Sequence, residues 1–396
     1  MRISNCGLRF APRLLDSVLG LLAALLSTTL WAEEGGLAER LDAGIARTLA
    51  ALIAKQSADG GFHSETYGVL KPGAATTAFV LETLSRLPEA QRAVHAQALE
   101  RAMAFVKATE AEGRGIGSKG EWLEYPVYST ALAIRTWLRL KPAGWEADAA
   151  RWRAFLVAQQ HAEANGCAPE HPAYGGWSAP GLTPGRVNRD ADLSATRYAL
   201  DALLASDLDA KDPLWRRARV FLGRHGNATD GGYVYSRVLY SKNKAGDDGR
   251  SETGYRSYGS ATLDGLLILE CLGMRGQPDD MGALIAAEPL KKARAWWAAT
   301  HALAGPAGFE GATGEQAAWA QAMNFYYRAA LAEAAASGAL DLKPEAWREL
   351  AELTLRLQSA DGLWRNESAL MKEDDPLLAS PMALQVLLHA RGRNDL

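Results

Sequence analysis

Gln56-Ser-Ala-Asp-Gly-Gly-Phe62 returns near the other end of the chain as Gln358-Ser-Ala-Asp-Gly-Leu-Trp364. Two weaker echoes, Tyr174-Gly-Gly-Trp177 and Asp230-Gly-Gly-Tyr233, lie between them. Each separates two stretches of helical spacing. Asp59 and Asp361 are suited to accept from backbone amides in a turn, and Gly60 and Gly61 permit positive φ. Phe62 and Trp364 can then fold against helix ends. Gln56 and Gln358 are placed to hydrogen-bond the start of a neighbouring helix, whose first amides lack partners. These stretches are joints.

Before the first joint, Leu41, Ile45, Leu49 and Leu52 form one stripe of an amphipathic helix. After it, Ala74 to Leu87 is apolar on most sides. The pair recurs as Leu99, Met103 and Val106 followed by Tyr128 to Leu140, then as Trp145 to Gln160 followed by Asp192 to Leu204. Pro213 to Arg224 precedes Tyr258 to Leu272; a helix containing Ala293 to His301, starting as early as Asp279, precedes Gln321 to Ser337. Pro344 to Gln358 and Leu378 to Ala390 complete the series. The period is about 55 residues, longer than common helical solenoid repeats, with an insertion in the fifth unit. No alternating run demands a sheet. The spacing predicts an all-α fold, an α/α toroid (α6-α6 barrel) of six helix-pair repeats, with amphipathic helices outside and apolar ones inside. Closing the ring buries the terminal faces that an open array must cap.

Residues 1–32 read as a secretory signal peptide, and 33–396 as a single toroid domain. Arg2, Arg9 and Arg13 precede an apolar run from Ser17 to Trp31, shorter than the roughly 20 residues of a membrane span. Ala32 would precede cleavage; Leu30 fits a cleavage site poorly, which keeps an uncleaved anchor open as the one route to membrane association. The expected location is periplasmic or extracellular. A net charge of −3 argues against a nucleic-acid partner, because no basic excess is available to neutralise phosphates. The 48% apolar content suffices for a packed core. Cys167 and Cys271 are a candidate disulfide in an oxidising compartment.

Gln56 with Asp59-Gly60-Gly61-Phe62, and Gln358 with Asp361-Gly362-Leu363-Trp364, resemble the repeats of squalene cyclases and protein prenyltransferases. Asp192-Leu193-Ser194 and Tyr258-Gly259-Ser260 resemble secreted bacterial squalene-cyclase-like repeat proteins, whose function is mostly unassigned. The resemblance implies the toroid and says little about activity.

Triterpene cyclases carry an Asp-x-Asp-Asp-Thr-Ala motif whose middle Asp protonates an alkene or epoxide. Asp190-Ala-Asp192-Leu-Ser-Ala195 resembles it, with Asp192 at the middle position, but Leu193 and Ser194 replace the third Asp and the Thr. Protonating an alkene needs an acid held neutral by its neighbours, so the loss of a carboxylate weakens the match. The alternative reading makes Asp192 a helix N-cap. Asp190 is the second acid candidate. Cation chemistry also requires aromatic faces. Phe79, Trp137, Tyr198, Tyr258, Phe325, Tyr326 and Tyr327 are the candidates to line a cavity, with at most two of the last three able to face a common centre. The prenyltransferase zinc site is missing: Cys271 in Leu269-Glu-Cys-Leu272 lacks the Asp-x-Cys spacing, and no metal or cofactor is expected. Thr313-Gly-Glu-Gln316 resembles a complement-type thioester motif with Thr in place of Cys, and reads as a loop and first helical turn.

The loops entering the inner helices gather His63, Glu65, Glu121, Glu124, Asp190 and Asp192, together with Asp247, Asp248, Glu252, Arg256, Glu310 and Glu367. Paired carboxylates of this kind also serve glycoside hydrolases. The long loop from His225 to Arg256 is the candidate lid or partner surface. Three function classes therefore stand. The first is a non-catalytic binding or scaffold toroid, with an apolar small-molecule cavity or an envelope protein partner. The second is an isoprenoid cyclase using Asp192. The third is a carbohydrate-active enzyme using rim carboxylates.

Overall fold

The computed structural model describes residues 36–111, 113, 115–117, 125–182, 190–239, 242–249, 253–274 and 281–396. The segment read as a signal peptide lies outside the described residues. Six outer helices are α1 (Leu37–Ala54), α4 (Ala96–Ala108), α6 (Trp145–Ala158), α8 (Pro213–His225), α10 (Met281–Thr300) and α13 (Pro344–Arg356). The inner helices that follow them are α2 (Ala74–Ser85), α5 (Pro126–Leu140), α7 (Leu193–Ala205), α9 (Gly259–Met274), α12 (Asn324–Ser337) and α14 (Pro376–Arg391). Each inner helix packs on the next, and α14 packs back on α2 and α1, so the ring closes as the repeat pattern predicts. Two short helices, α3 (Glu89–Val94) and α11 (Gly314–Ala322), lead into α4 and α12. A two-residue hairpin, β1 (Glu110–Ala111) with β2 (Gly115–Ile116), breaks the helical pattern in the second joint.

The repeated joint has a reason for every residue. Asp59, Asp230 and Asp361 each accept from the amide two residues on, at 2.9, 2.8 and 3.1 Å. The glycine that follows adopts φ of +90° at Gly60, +86° at Gly231 and +84° at Gly362; Gly175 takes +88° in the third joint. A side chain there would strike the backbone of the next outer helix, at the carbonyls of Arg101, Lys292, Arg47 and Arg217 respectively. Gly61 does not use positive φ; it is needed because a Cβ would meet the Phe105 ring at 2.8 Å.

The glutamine does not reach helix-start amides as expected. Its amide nitrogen donates to two carbonyls, one in its own joint and one inside the neighbouring outer helix. Gln56 bonds Gly60 and Ala98, Gln160 bonds Gly175 and Leu214, and Gln358 bonds Gly362 and Gly44. The side-chain oxygens accept from Arg101, Arg217 and Arg47 of those same helices. The Gln358 contacts fall on α1 and therefore staple the last unit to the first. Arg40 with Glu352 (2.9 Å) and Gln385 with Thr83 (2.9 Å) lie along the same seam.

The aromatic of each joint is likewise tied inward. The amides of Phe62, Trp177, Tyr233 and Trp364 donate to Thr77, Thr196, Thr262 and Ser380 in the first turns of their inner helices, at 2.8, 3.1, 3.1 and 3.0 Å. Trp177 and Trp364 also donate their indole N–H to Leu156 and Thr354 carbonyls near the ends of α6 and α13, each at 2.8 Å. The joint thus fixes outer helix, inner helix and neighbouring unit at once, and it sets where the inner helices begin. Among the described residues no helix is long and apolar enough to cross a membrane.

Candidate functional site

The N-terminal ends of the inner helices surround a cavity of about 350 Å³ in the middle of the ring. Of the predicted aromatics, Phe79, Tyr198, Tyr258 and Tyr326 line it, from four different units. Tyr125, Tyr128 and Tyr235 join them. Tyr128 meets Tyr125 and Tyr198 edge-on, with centroids 6.2 and 5.3 Å apart, so their faces and edges make one continuous wall. Leu132, Met323, Leu378 and Met382 complete its apolar surface.

The remaining candidates are placed elsewhere. Trp137 turns outward, its ring 4.9 Å from Trp152 and its indole nitrogen donating to Asp148 at 3.2 Å. Tyr327 packs on the backbone of Gly259, and Phe325 lies beside the Arg328 guanidinium. Neither is in the cavity wall. Successive residues of a helix point about 100° apart, so α12 offers Tyr326 alone of its three aromatics to the centre. That helix also starts later than its periodicity suggests. The backbone breaks at Met323, and the Glu373 carboxylate accepts from the amides of Phe325 and Tyr326 at 3.0 and 2.8 Å, making a new capped start.

Asp192 sits in the cavity wall, and it is also the N-cap of α7, accepting from the Ala195 amide at 2.9 Å. Ser194 donates to it at 3.2 Å, and the Lys242 ammonium bridges it to Asp190 at 2.9 and 2.8 Å. Ser194 in turn shares hydrogen bonds with the phenols of Tyr128 (2.5 Å) and Tyr235 (2.6 Å). Burial first, then the charge of Asp192, pushes both phenols well above their ordinary range, so they remain neutral hydroxyls. Asp190 lies behind Lys242, outside the cavity wall.

Below the aromatic layer the ring is filled by charge. Arg197 pairs with Asp264 at 3.1 Å and Glu333 at 3.2 Å; Arg135 reaches Glu333 at 2.9 Å, Glu82 at 3.4 Å and Asp201 at 3.4 Å. Arg86 and Arg139 each approach Glu82 to 2.9 Å. Tyr326 joins the two layers, its hydroxyl donating to both Asp264 oxygens at 2.8 and 2.9 Å. Burial raises the Glu82 carboxyl, but Arg86, Arg135 and Arg139 together outweigh it and hold it at about 2. At Asp264 burial wins over Arg197 and pushes the carboxyl up to about 6. Beyond this floor a second cavity of about 340 Å³ opens between Arg139, Glu270 and Ser337 at the opposite end.

The Asp264 shift has a measurable sign. Its pKa is raised on folding, so its contribution to stability is present below the unfolded value near 3.8 and is lost as pH rises through about 6. Buried His161, His225 and His389, each pushed down to about 4 by desolvation, act oppositely over the same range. Asp201 and Glu373, pushed up by burial to about 6 and about 7, add to the Asp264 slope, so three raised carboxyls offset three lowered histidines and the wild-type melting curve should change little between about pH 4.5 and 6.5. Relative to wild type, Asp264→Asn should gain in Tm by a few degrees as pH rises from about 5 to about 8; a difference that is constant or falls with pH would show that Asp264 is ionised throughout.

The acidic rim does not converge. Among the described residues Asp192 is the one carboxylate in the cavity wall. His63 is held by Asp59 at 3.1 Å and by the Lys71 carbonyl at 2.8 Å, on the ring's outer edge. Glu121, Glu124 and Glu252 lie outside the described residues. The loop from His225 to Arg256 supplies Tyr235, Lys242 and Lys244 to the cavity, so its described part is wall. Thr313 begins α11, as a loop and first turn. Cys167 and Cys271 are both buried and no disulfide joins them. Cys271 sits in α9 against the Leu200 carbonyl, and Cys167 lies in the loop after α6, so the candidate bridge is corrected. No group of three or more His, Cys, Asp or Glu among the described residues is placed to hold a metal ion.

The ring and its central cavity define an α/α toroid. No family model matches the chain, and no curated protein matches it. Solved structures do. Type II terpene cyclase MstE from Scytonema, as a variant in complex with its product merosterolic acid A, superposes with a TM-score of 0.56 at 15% identity, over 90% of this chain and 98% of that one. A second variant, in complex with its substrate geranylgeranyl dihydroxybenzoate, gives 0.55 at 14% identity, over 90% and 98%. Cellobiose 2-epimerase from Spirochaeta thermophila gives 0.52 at 13%, over 88% and 96%. At such identities the likeness is one of fold.

Proposed function

We propose that this protein binds a small, elongated apolar molecule of the isoprenoid class inside the ring. The observation that carries this reading is the cavity itself: a space within the range of about 300–1,000 Å³ typical of small-molecule sites, walled largely by tyrosines, leucines and methionines, with all six inner helices contributing to its lining. A toroid serving only as a scaffold has no need of it, since a packed centre would be more stable. The Scytonema cyclase, a neighbour in fold, holds an isoprenoid substrate and product.

Catalysis by Asp192 is the second reading, and its position in the cavity wall favours it. Against it stands the carboxylate's engagement by Lys242, Ser194 and the Ala195 amide. A carboxyl group whose oxygens are already taken up by a helix cap, a hydroxyl and an ammonium group is poorly placed to hand a proton to an alkene. We therefore place binding ahead of turnover. A sugar-cleaving reading needs a second wall carboxylate, and the described residues give none.

Binding is tested by titrating farnesol into the purified protein by calorimetry, beside Leu132→Trp, which fills the cavity from α5. Farnesol should bind the wild type, and the filled variant should bind at least about tenfold more weakly while keeping its helical signal. Equal binding by both would remove the cavity from the account. Incubation of wild type and Asp192→Asn with the same alcohol decides the second reading: a cyclised product from the wild type alone would establish it.

A further inference from the structure

We infer that the molecule bound in this cavity carries a singly charged anionic head, a carboxylate, held at the cavity mouth by Lys244 and Lys372. The inference rests on the apolar-cavity reading above and deepens it. Four charged side chains among the described residues face the cavity: Asp192 and three lysines, Lys242, Lys244 and Lys372. An uncharged hydrocarbon gives the wall no use for Lys244 and Lys372, the two ammonium groups that do not serve the α7 cap.

The three lysines do different work. Lys242 lies between Asp190 and Asp192, at 2.8 and 2.9 Å, and belongs to the α7 cap. Lys244 and Lys372 are half-buried and come from two sequence-distant loops. Each is steered by an aromatic ring, Lys244 over Trp319 at 3.9 Å and Lys372 over Tyr67 at 5.6 Å. Leu370, 41% exposed, stands in the wall beside Lys372 and marks the side on which the cavity meets solvent.

Burial, then the neighbouring Lys242 charge, lowers the proton affinity of Lys244; Glu315 opposes this, and Lys372 adds to it. A cation so placed gains from an anion that enters the cavity with its chain. Glu315, which accepts from the Trp319 indole at 3.2 Å, and Asp374, which accepts from the Tyr67 phenol at 2.5 Å, lie behind the two aromatic rings. They reduce the positive surplus, which therefore suits a carboxylate better than a diphosphate. Neither lysine belongs to a sequence motif.

Three probes share one chain and differ at the head: farnesol, farnesoic acid and farnesyl diphosphate. Their Kd values are measured on the wild type and on a Lys244→Met/Lys372→Met double variant, at low and high salt. Farnesoic acid should bind the wild type about tenfold more tightly than farnesol, and the preference should shrink with added salt. The double variant should lose that preference and keep its affinity for farnesol. Acid and alcohol binding alike, or a preference that survives the double substitution, would overturn the assignment of the head group. Diphosphate binding tenfold more tightly than the acid would overturn the single charge. Farnesol failing to bind the wild type would instead sink the cavity reading.

Discussion

Trp364→Ala should lower the free energy of unfolding by about 3–5 kcal/mol, the usual cost of truncating a fully buried Trp. The side chain is entirely enclosed, and its indole nitrogen donates to the Thr354 carbonyl at the end of α13. Alanine leaves a cavity and removes one of the two hydrogen bonds that the Thr354 carbonyl accepts, in the joint that also carries Gln358. Because the same joint carries Gln358, which holds the seam between last and first units, the damage should spread to α1, where hydrogen exchange of Ile45 and Leu49 would rise. Chemical denaturation measures the first effect and exchange the second. A loss below about 1 kcal/mol, with α1 still protected, would mean that closure does not depend on this joint.

Glu333→Gln should be comparably costly, about 3–5 kcal/mol, because it removes one partner from a buried ion cluster. The carboxylate lies 3.4, 2.9 and 3.2 Å from Arg86, Arg135 and Arg197, and burial is outweighed by those three charges in setting its strongly lowered pKa. The neutral amide leaves four guanidinium groups, counting Arg139, against Glu82, Asp201 and Asp264. Adding Arg135→Met to the same chain should recover part of the loss, since it removes the surplus cation along with its partner. If the single variant is as stable as wild type, the central charges are solvated and form no floor.

The fold was legible because the joint repeats. Gln56, Asp59, Gly60 and Phe62 are chosen by local turn geometry and by contact with the adjoining unit, so the pattern recurs wherever those contacts recur. Helix starts follow for the same reason: Asp192 and Asp375 accept from amides of the first turns they precede. The glutamines reach the neighbouring helix but not its free amides, because the side-chain oxygen that could accept from them is taken by Arg101, Arg217 or Arg47 and the nitrogen donates to carbonyls.

The site was legible only in part. Tyr198, Tyr258 and Tyr326 could be found because they fall on inner helices, whereas the direction each faces depends on rotations about the helix axis that periodicity sets poorly. Trp137 was lost to this ambiguity: it is on an inner helix but answers Asp148 on the outer layer. Tyr235 follows a joint by two residues and could have been inferred from the echo at Tyr233. Lys242, Lys244 and Lys372 carry no local signature, since Lys372 joins the neighbouring Lys242 and Lys244 only through the closure of the ring. The charged floor was invisible for a related reason. Glu82, Arg135, Arg197, Asp264 and Glu333 each look like an isolated charge on an apolar helix, and their mutual satisfaction exists only once five inner helices face one another.

The central claim is that the ring encloses a usable apolar space above a charged floor. A crystal structure of the protein with farnesol bound tests it most directly. The isoprenoid chain should lie inside the ring, in contact with Tyr128, Tyr198, Tyr258 and Tyr326, with the Tyr326–Asp264 hydrogen bond intact beneath it. A centre filled by protein side chains, with farnesol absent or bound only on the outer surface, would contradict it.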